Sequence, residues 1–509
     1  MPRHESIWSA TANLAECPPL AENVHVDVCI VGAGIAGLST AYHLVQAGKS
    51  VAVLDDGPLV SGMTRMTSGH LTNMLDDRYF ELEKLHGEEA MRVAADSHTA
   101  AIERIDEIVR KEAIDCDFSR LDGYLFLADG DKRATLEREL DAAHRAGLKD
   151  VTLQPRAPYE GWDTGPCLRF PRQGQFHPLK YLGALAAAVR RAGGHIYCNS
   201  HADHLEGGVP ALVHVGNHVV TGDALVVATN VPINNRLTLH TKQAPYMTYV
   251  IGARVPRGSV PTVLSWDTGD PYHYIRIQPY EEDDLLIVGG EDHKSGQAHD
   301  SPQRYRKLEA WARSRFPMMK EVEFNWGGQI MEPIDYLGFI GHNPFDHDNI
   351  YVATGDSGMG LTHGTIAGML LCDLILGRTN PWAKLYSPAR VPVKAAGEFA
   401  REDLNMAAQY ADWLTPGDVK SADDIARDSG AIVRRGLEKL AVYRDENGAL
   451  HERLAACPHL GCIVQWNPGE KTWDCPCHGS RFDAKGHVIN GPANQDLGLV
   501  RRTPDKRAA

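Results

Sequence analysis

Three observations predict the fold class. A glycine-rich turn joins a strand-like run to a helix-like run near the N-terminus, strand-like runs cross residues 240–330, and two Cys/His boxes stand near the C-terminus. Together they predict an α/β domain of Rossmann-like topology, an antiparallel sheet carried within it, and a small all-β domain holding a metal centre. The 509 residues suffice for two or three domains with a large core.

The first element is Val26-Asp27-Val28-Cys29-Ile30-Val31, a buried strand, followed by Gly32-Ala33-Gly34-Ile35-Ala36-Gly37 and an apolar-periodic helix over 38–47. A second strand over 50–54 ends in Asp55. In such a unit the first glycine permits the tight turn, the second lets backbone approach a pyrophosphate, and the third lets helix and strand close-pack. Unpaired N–H groups at the helix start face the phosphates. Asp55 stands where an acid accepts from ribose hydroxyls. A glycine-rich turn alone is weak evidence, but here strand, helix, second strand and acid are in register.

Further along, residues 75–150 alternate charged and apolar positions at helical spacing and predict a helical excursion. A helix over 178–192 leads back to a strand ending in Ala228-Thr229-Asn230. Strand-like runs over 246–253, 272–278 and 285–289 predict the antiparallel sheet. A second glycine turn, Thr354-Gly355-Asp356-Ser357-Gly358-Met359-Gly360, follows a strand and precedes a helix from about 365 to 376. A long dinucleotide gripped from both ends of the chain is better suited by a flavin than by NAD. The prolines at 381, 388, 392 and 416 mark a linker around a short helix.

The C-terminal boxes are Cys457-Pro458-His459-Leu460-Gly461-Cys462 and Cys475-Pro476-Cys477-His478-Gly479-Ser480. One Cys-x-His pair and one Cys-x-x-His pair suit a [2Fe–2S] cluster with two thiolates on one iron and two imidazoles on the other. Zinc accepts the same donors, but it does not explain the extra cysteine in each box or the His-x-Gly-Ser shoulder.

The boxes resemble the Rieske domain of cytochrome complexes, over about residues 430–500. That resemblance implies Cys457, His459, Cys475 and His478 as cluster ligands and a Cys462–Cys477 disulfide between the ligand loops. It also implies a Ser480 hydroxyl donating to a cluster sulfide, with Gly491-Pro492-Ala493 as the covering loop. Phe482 departs from the pattern, which usually has a tyrosine there. Residues 20–390 resemble the FAD-dependent amine and amino-acid oxidoreductases, a superfamily of glutathione-reductase-type fold that includes D-amino-acid, glycine and sarcosine oxidases. This implies FAD held through Gly32, Gly34, Gly37, Asp55, Thr354, Gly355, Gly358 and Gly360. Asp335-Tyr336-Leu337-Gly338-Phe339-Ile340-Gly341 resembles the superfamily's Asp-x-x-Pro-x-Ile-Gly turn, with Gly338 in place of proline. The implied organisation is an oxidoreductase over 1–390, a linker over 391–428 and the Rieske domain over 429–509. The FAD-binding segments are 24–75, 176–240 and 335–380, and the substrate-domain segments are 76–175 and 241–334.

The resemblance implies oxidation of a C–N bond in an amine or amino acid, with electrons passing singly from FAD through the cluster to an acceptor protein or quinone. Arg276 lies where such oxidases often present a carboxylate-binding fork; otherwise it is an arginine on a strand. Tyr274 is the tyrosine most closely placed to join it, and Tyr246, Tyr249 and Tyr336 either line the pocket or pack. His70 could contact the flavin or even bond to it. Sarcosine-oxidase relatives place an oxygen-activating lysine over the flavin, on a strand aligned with 285–289 here. That strand has none, and Lys294 falls in the following loop. An alternative is an NAD(P)H-dependent reductase serving a partner oxygenase, but no further GxGxxG occurs between residues 150 and 290. Fifty-two basic against 66 acidic residues, net −14, argue against nucleic acid or an anionic membrane as partner. With no long apolar run and no secretory h-region, a cytoplasmic protein is expected, its six remaining cysteines reduced and unpaired.

Overall fold

The computed structural model describes residues 2–234, 239–391 and 396–500. The chain divides into two compact units, one of residues 1–293 and 303–397 and the other of residues 294–302 and 398–509.

The first unit holds two sheets. One runs in the order Phe339–His342, Ile350–Thr354, His218–Val227, Val24–Val31, Val51–Leu54, His195–Tyr197, with parallel pairing from Ile350–Thr354 through to His195–Tyr197. Its strands come from the three segments expected of the dinucleotide domain. The central strands are buried on both faces and are accordingly apolar runs, with Val28, Cys29, Ile30, Val51, Ala52 and Val53 all out of solvent.

The helices Ile35–Gln46, Pro178–Arg191 and Gly360–Ile375 accompany this sheet. Gly32 takes a φ of +106°, and a Cβ there would sit 2.3 Å from the Ala228 carbonyl oxygen. A Cβ on Gly37 would sit 1.8 Å from the Gly32 carbonyl oxygen. The first turn and the helix after it therefore touch backbone to backbone.

The second sheet is mostly antiparallel. Its centre is Val322–Pro333, Gln243–Val255, Asp283–Lys294 and Tyr274–Tyr280, extended by Leu264–Asp267, Ser119–Phe126 and Cys167–Gln175. The helical excursion expected over 75–150 is therefore interrupted. Tyr79–His86, Glu88–Lys111 and Arg133–Arg145 are helices, but Ser119–Phe126 is a strand of this sheet. Its register against Cys167–Gln175 supplies a pairing partner that helical spacing in its neighbours does not reveal.

The second unit contains two antiparallel sheets, Ser429–Arg435, Glu438–Arg444 and Leu450–Leu454, then Gln465–Asn467, Thr472–Asp474, Arg481–Asp483 and Val488–Asn490. Trp466, Trp473, Phe482, Ile432 and Leu497 form its core. The expected linker differs from what is observed: the helix Ala396–Gln409 lies within this unit, as does the segment 294–302. Among the described residues no helix is long and apolar enough to cross a membrane.

Gly37→Ala should misplace the first helix, because the added carbon meets a backbone oxygen that cannot rotate away. We expect a loss of several kcal/mol, on the order of other core overpacking changes, read as a lower thermal midpoint and flavin-depleted protein.

Candidate functional site

The nucleotide end of the first unit lies where the parallel strands finish. Asp55, just past Val51–Leu54, accepts from the Ala33 N–H at Oδ2 (2.7 Å) and from the Gly57 N–H at Oδ1 (3.1 Å). Burial outweighs those bonds and pushes its carboxyl up to about 6. The helix Ile35–Gln46 starts at Gly34 without a side-chain cap, and Thr64 Oγ1 accepts from the Ile35 N–H (3.2 Å).

The second glycine turn converges on the same sheet. Thr354 Oγ1 lies 2.6 Å from the Asn230 carbonyl oxygen and 3.2 Å from Gln243 Oε1. Asn230 Nδ2 and Gln243 Nε2 are buried donors with no hydrogen-bond partner. A buried donor left unsatisfied costs about 1–3 kcal/mol, which a bound group rich in acceptors would offset. Unsatisfied donors, two glycine turns and a helix start together fit FAD.

Asp76, Asp77, Glu332 and Asp356 were not singled out from the sequence, yet they crowd around this turn. Tyr272 Oη donates to Asp76 Oδ2 (2.7 Å). Ser357 Oγ lies 3.1 Å from Asp77 Oδ2 and 2.5 Å from Glu332 Oε1, and the Met331 N–H donates to Asp356 Oδ1 (3.1 Å). A Cβ on Gly358 would stand 1.9 Å from Asp76 Oδ2, so only glycine admits that carboxylate. Burial raises every one of these carboxyls. Asp76 and Asp356 rise to about 6, Asp77 to about 7 with Asp76 as its second cause, and Glu332 also rises, with Asp77 second. His363, 5% exposed, lines the same small cavity and its Nε2 has no partner. Two adjacent acids directly after the apolar Met74-Leu75 were the only local signal.

Arg276, the expected carboxylate fork, stands on the strand Tyr274–Tyr280 with its buried Nε unpartnered. It is fully buried, and Nη1 donates to the carbonyls of Gly69 (2.7 Å), Phe176 (3.2 Å) and Ser68 (3.3 Å), while Nη2 donates to Gln278 Oε1 (2.6 Å). Its terminal donors are committed to tying the 68–69 segment and Phe176 to the second sheet. Tyr274 is buried beside it in sequence, with its hydroxyl 3.1 Å from Thr248 Oγ1. A Cβ on Gly289 would lie 2.0 Å from the Tyr274 ring, so that glycine makes the ring's berth. His70 Nδ1 lies 2.8 Å from Ser68 Oγ and Nε2 3.3 Å from the Ile275 carbonyl, and burial holds the imidazole neutral, down at about 3.

In the second unit the two boxes are loops between strands. Cys457 and Cys475 are both buried, and the His459 and His478 rings meet edge-on with centroids 4.8 Å apart. Cys462 and Cys477 are joined as a disulfide, with Cα atoms 6.5 Å apart. Two thiols and two imidazoles converging in one pocket are a donor set that fits a [2Fe–2S] cluster of mixed ligation.

Each loop is closed at its base. The Cys475 N–H donates to the Ser480 carbonyl (2.8 Å), and the flanking Asp474 and Arg481 form an ion pair at 3.1 Å with side chains 1% and 3% exposed. Tyr410 Oη and Trp413 Nε1 donate to the carbonyls of Leu460 and Gly461, each at 2.9 Å, pinning the first loop. Ser480 Oγ accepts from the Ala493 N–H (2.9 Å), which leaves its own proton available to the ligand pocket. Phe482 is fully buried.

Two predictions follow from these environments. Ser480→Ala should lower the cluster's reduction potential and Phe482→Tyr raise it, both within the roughly −150 to +300 mV of such centres; redox titration of the three proteins reads it. The raised carboxyls in the first unit favour the fold while protonated, so their contribution is full below about pH 4 and is lost as pH rises through 6–7. Thermal midpoints should therefore fall as pH rises from about 4 to about 7 and level off above that. Glu332→Gln should flatten that slope and raise the midpoint at pH 8.

Comparison with known proteins agrees with this geometry. The FAD dependent oxidoreductase family matches residues 27–374, and the Rieske [2Fe-2S] domain family matches residues 415–501. A chain of Bacillus subtilis (strain 168) named as a Rieske 2Fe-2S iron-sulfur protein, YhfW, is 30% identical over 500 residues, covering 97% of each chain. The gamma-glutamylputrescine oxidoreductase of Escherichia coli (strain K12) is 28% identical over 388 residues, 73% of this chain and 89% of that one. The cytochrome b6-f complex iron-sulfur subunit of Synechococcus elongatus is 34% identical over 146 residues, 28% of this chain and 74% of that one. Among solved structures, glycine oxidase from Geobacillus kaustophilus shares the fold with a TM-score of 0.61 at 19% identity, over 72% of this chain and all of that one. The chain belongs to the FAD-dependent oxidoreductase family and carries a Rieske [2Fe–2S] domain on its C-terminal side.

Proposed function

We propose that the chain oxidises the C–N bond of an amine or N-alkyl amino acid and releases the electrons one at a time to an external acceptor, a small redox protein or a quinone. The observation that carries this reading is the pocket of two thiols and two imidazoles, Cys457, Cys475, His459 and His478, on a chain with one dinucleotide fold. These four would hold the cluster, and Gly32, Gly34, Gly37, Asp55, Thr354, Gly355, Gly358 and Gly360 would cradle FAD. FAD supplies a hydride acceptor and the cluster a one-electron carrier.

The chain's own residues would then select and orient the donor. Asp76 and Asp356, raised only to about 6, offer carboxylates for a protonated amine, with Asp77 and Glu332 as neutral or shared-proton neighbours. Arg276 gives Nη1 to backbone carbonyls and Nη2 to Gln278, while its buried Nε has no partner. The substrate in the name of the Escherichia coli relative is a diamine derivative, which supports an amine here. Lys294 ends the strand Asp283–Lys294 rather than lying in the following loop. Its ammonium is held by the Glu402 carboxylate at 2.5 and 2.6 Å, not held free to promote reaction with oxygen. A cytoplasmic location is part of the same proposal.

Anaerobic mixing with a panel of mono- and diamines, N-methyl amino acids, NADH and NADPH tests the donor. An amine should bleach both the flavin and the cluster absorbance, whereas bleaching of both by NAD(P)H alone would overturn the reading. Stopped-flow mixing of substrate-reduced protein with O₂ tests the acceptor. Reoxidation should be slow compared with turnover on a one-electron acceptor, and stoichiometric peroxide at the turnover rate would make the protein an oxidase.

A further inference from the structure

Residues 12–23, ahead of the first parallel strand, lack regular secondary structure but are fastened at one place. The Cys198 N–H donates to the Pro18 carbonyl (3.1 Å), and the Leu20 N–H donates to Ser200 Oγ (2.8 Å). This brings together two cysteines far apart in the sequence: Cys17 precedes the residue whose carbonyl the Cys198 N–H engages, and each thiol acts on the other's titration. Arg190, in the last turn of the helix Pro178–Arg191, donates through Nη2 to Cys17 Sγ. Cys17 is 8% exposed and Cys198 1%, while Glu16 and Pro18 on either side of Cys17 are exposed.

A buried free cysteine is ordinarily a small hydrophobe, and Cys29, Cys116, Cys167 and Cys372 fit that description, each pushed up by burial. Cys17 differs from them. Cys198 and then the charge of Arg190 pull it down to about 7, against burial. One thiol beside a cation at the edge of solvent, with a second thiol kept protonated on the neighbouring backbone, is the arrangement of an attacking thiolate and its resolving partner.

We propose that Cys17 and Cys198 are a thiol-oxidation site that closes to a reversible disulfide on exposure to a peroxide. The Cys17 thiolate attacks one oxygen of hydrogen peroxide, the O–O bond breaks, and hydroxide leaves to take up a proton as water. Cys198 then loses its proton, and its sulfur displaces hydroxide from the Cys17 sulfenic acid, forming the S–S bond and a second water. Two thiols and one peroxide thus give one disulfide and two waters, with two electrons passing from sulfur to peroxide. Arg190 stabilises the charge on Cys17 before attack.

The bond would close beside the acid expected at the ribose. The Asp55 N–H donates to the Tyr197 carbonyl (2.9 Å), the Ser200 N–H to the Asp55 carbonyl (2.8 Å) and the Asn199 N–H to the Gly57 carbonyl (3.0 Å). The disulfide would therefore anchor the N-terminal stretch covalently to the backbone that positions Asp55.

The test treats full-length holoprotein with stoichiometric hydrogen peroxide, followed by denaturing alkylation, non-reducing digestion and mass spectrometry. The expected result is a Cys17–Cys198 cross-linked peptide, two hydrogens lighter than its parts, that dithiothreitol separates. Cys198→Ser should stop the reaction at a Cys17 sulfenic acid that dimedone traps. Arg190→Gln, which keeps a donor but removes the charge, should slow disulfide formation about tenfold at pH 7. Flavin content of each variant reports on folding. Full alkylation of both residues after peroxide has consumed other thiols would overturn the proposal, as would an unchanged rate in Arg190→Gln.

Discussion

The first unit depends on how closely the helix Ile35–Gln46 approaches the turn after Val24–Val31. No β-carbon fits between Gly37 and the Gly32 carbonyl, or between Gly32 and the Ala228 carbonyl. The ends of the central strands and the start of the helix are therefore fixed against one another by backbone alone. The helix Gly360–Ile375 is held to the first helix in the same manner. A Cβ on Gly364 would sit 2.5 Å from Ile35 Cγ2, and one on Gly368 would sit 2.5 Å from Ser39 Cβ. Both glycine turns thus take their positions from a single helix. A shift of that helix would move Gly355 and Gly358 along with Gly34, although they are far apart in sequence.

The second unit solves a different problem, because its ligand loops have no regular backbone ladder of their own. Their shape comes from the strand pairs at their bases, from the disulfide, and from side chains contributed from a distance. Gln297 Nε2 donates to the Pro476 carbonyl (3.4 Å), and a Cβ on Gly296 would lie 2.8 Å from the Asp474 carbonyl oxygen. Tyr410 and Trp413 hold the other loop. Buried hydrogen-bonded networks of this kind hold a site rigid when every member is satisfied.

What could be read from the sequence was what is written contiguously. The strand–turn–helix around Gly32, the second turn at Gly355 and the two Cys/His boxes are each a run of a few residues whose chemistry is local. What escaped notice is assembled across the chain. Asp77 and Glu332 come from separate segments and meet at Ser357, while Asp356, just before it, accepts from the Met331 N–H. Arg276 stood out because it lies where the resembled oxidases present a carboxylate-binding arginine, but the carbonyls that engage it lie at Ser68, Gly69 and Phe176, which no spacing along the chain reveals. Ser119–Phe126 was hidden among helices because its pairing partner lies on the far side of a helix and a loop. Cys17 and Cys198 carry no spacing signal at all.

The segment 294–302 has a consequence for how this protein can be taken apart. The chain enters the second unit there, before it has finished the first, and only later returns for the rest. Within that unit Lys294 pairs with Glu402, Gln297 Nε2 donates to Asn405 Oδ1 (2.8 Å) and Ser301 Oγ to Asn467 Oδ1 (2.8 Å). The iron–sulfur unit is thus not a cassette appended to a finished enzyme. A fragment cut out after residue 397 would leave Glu402, Asn405 and Asn467 without these partners. Grafting the unit onto another flavoprotein would require that host to lend a loop of matching chemistry.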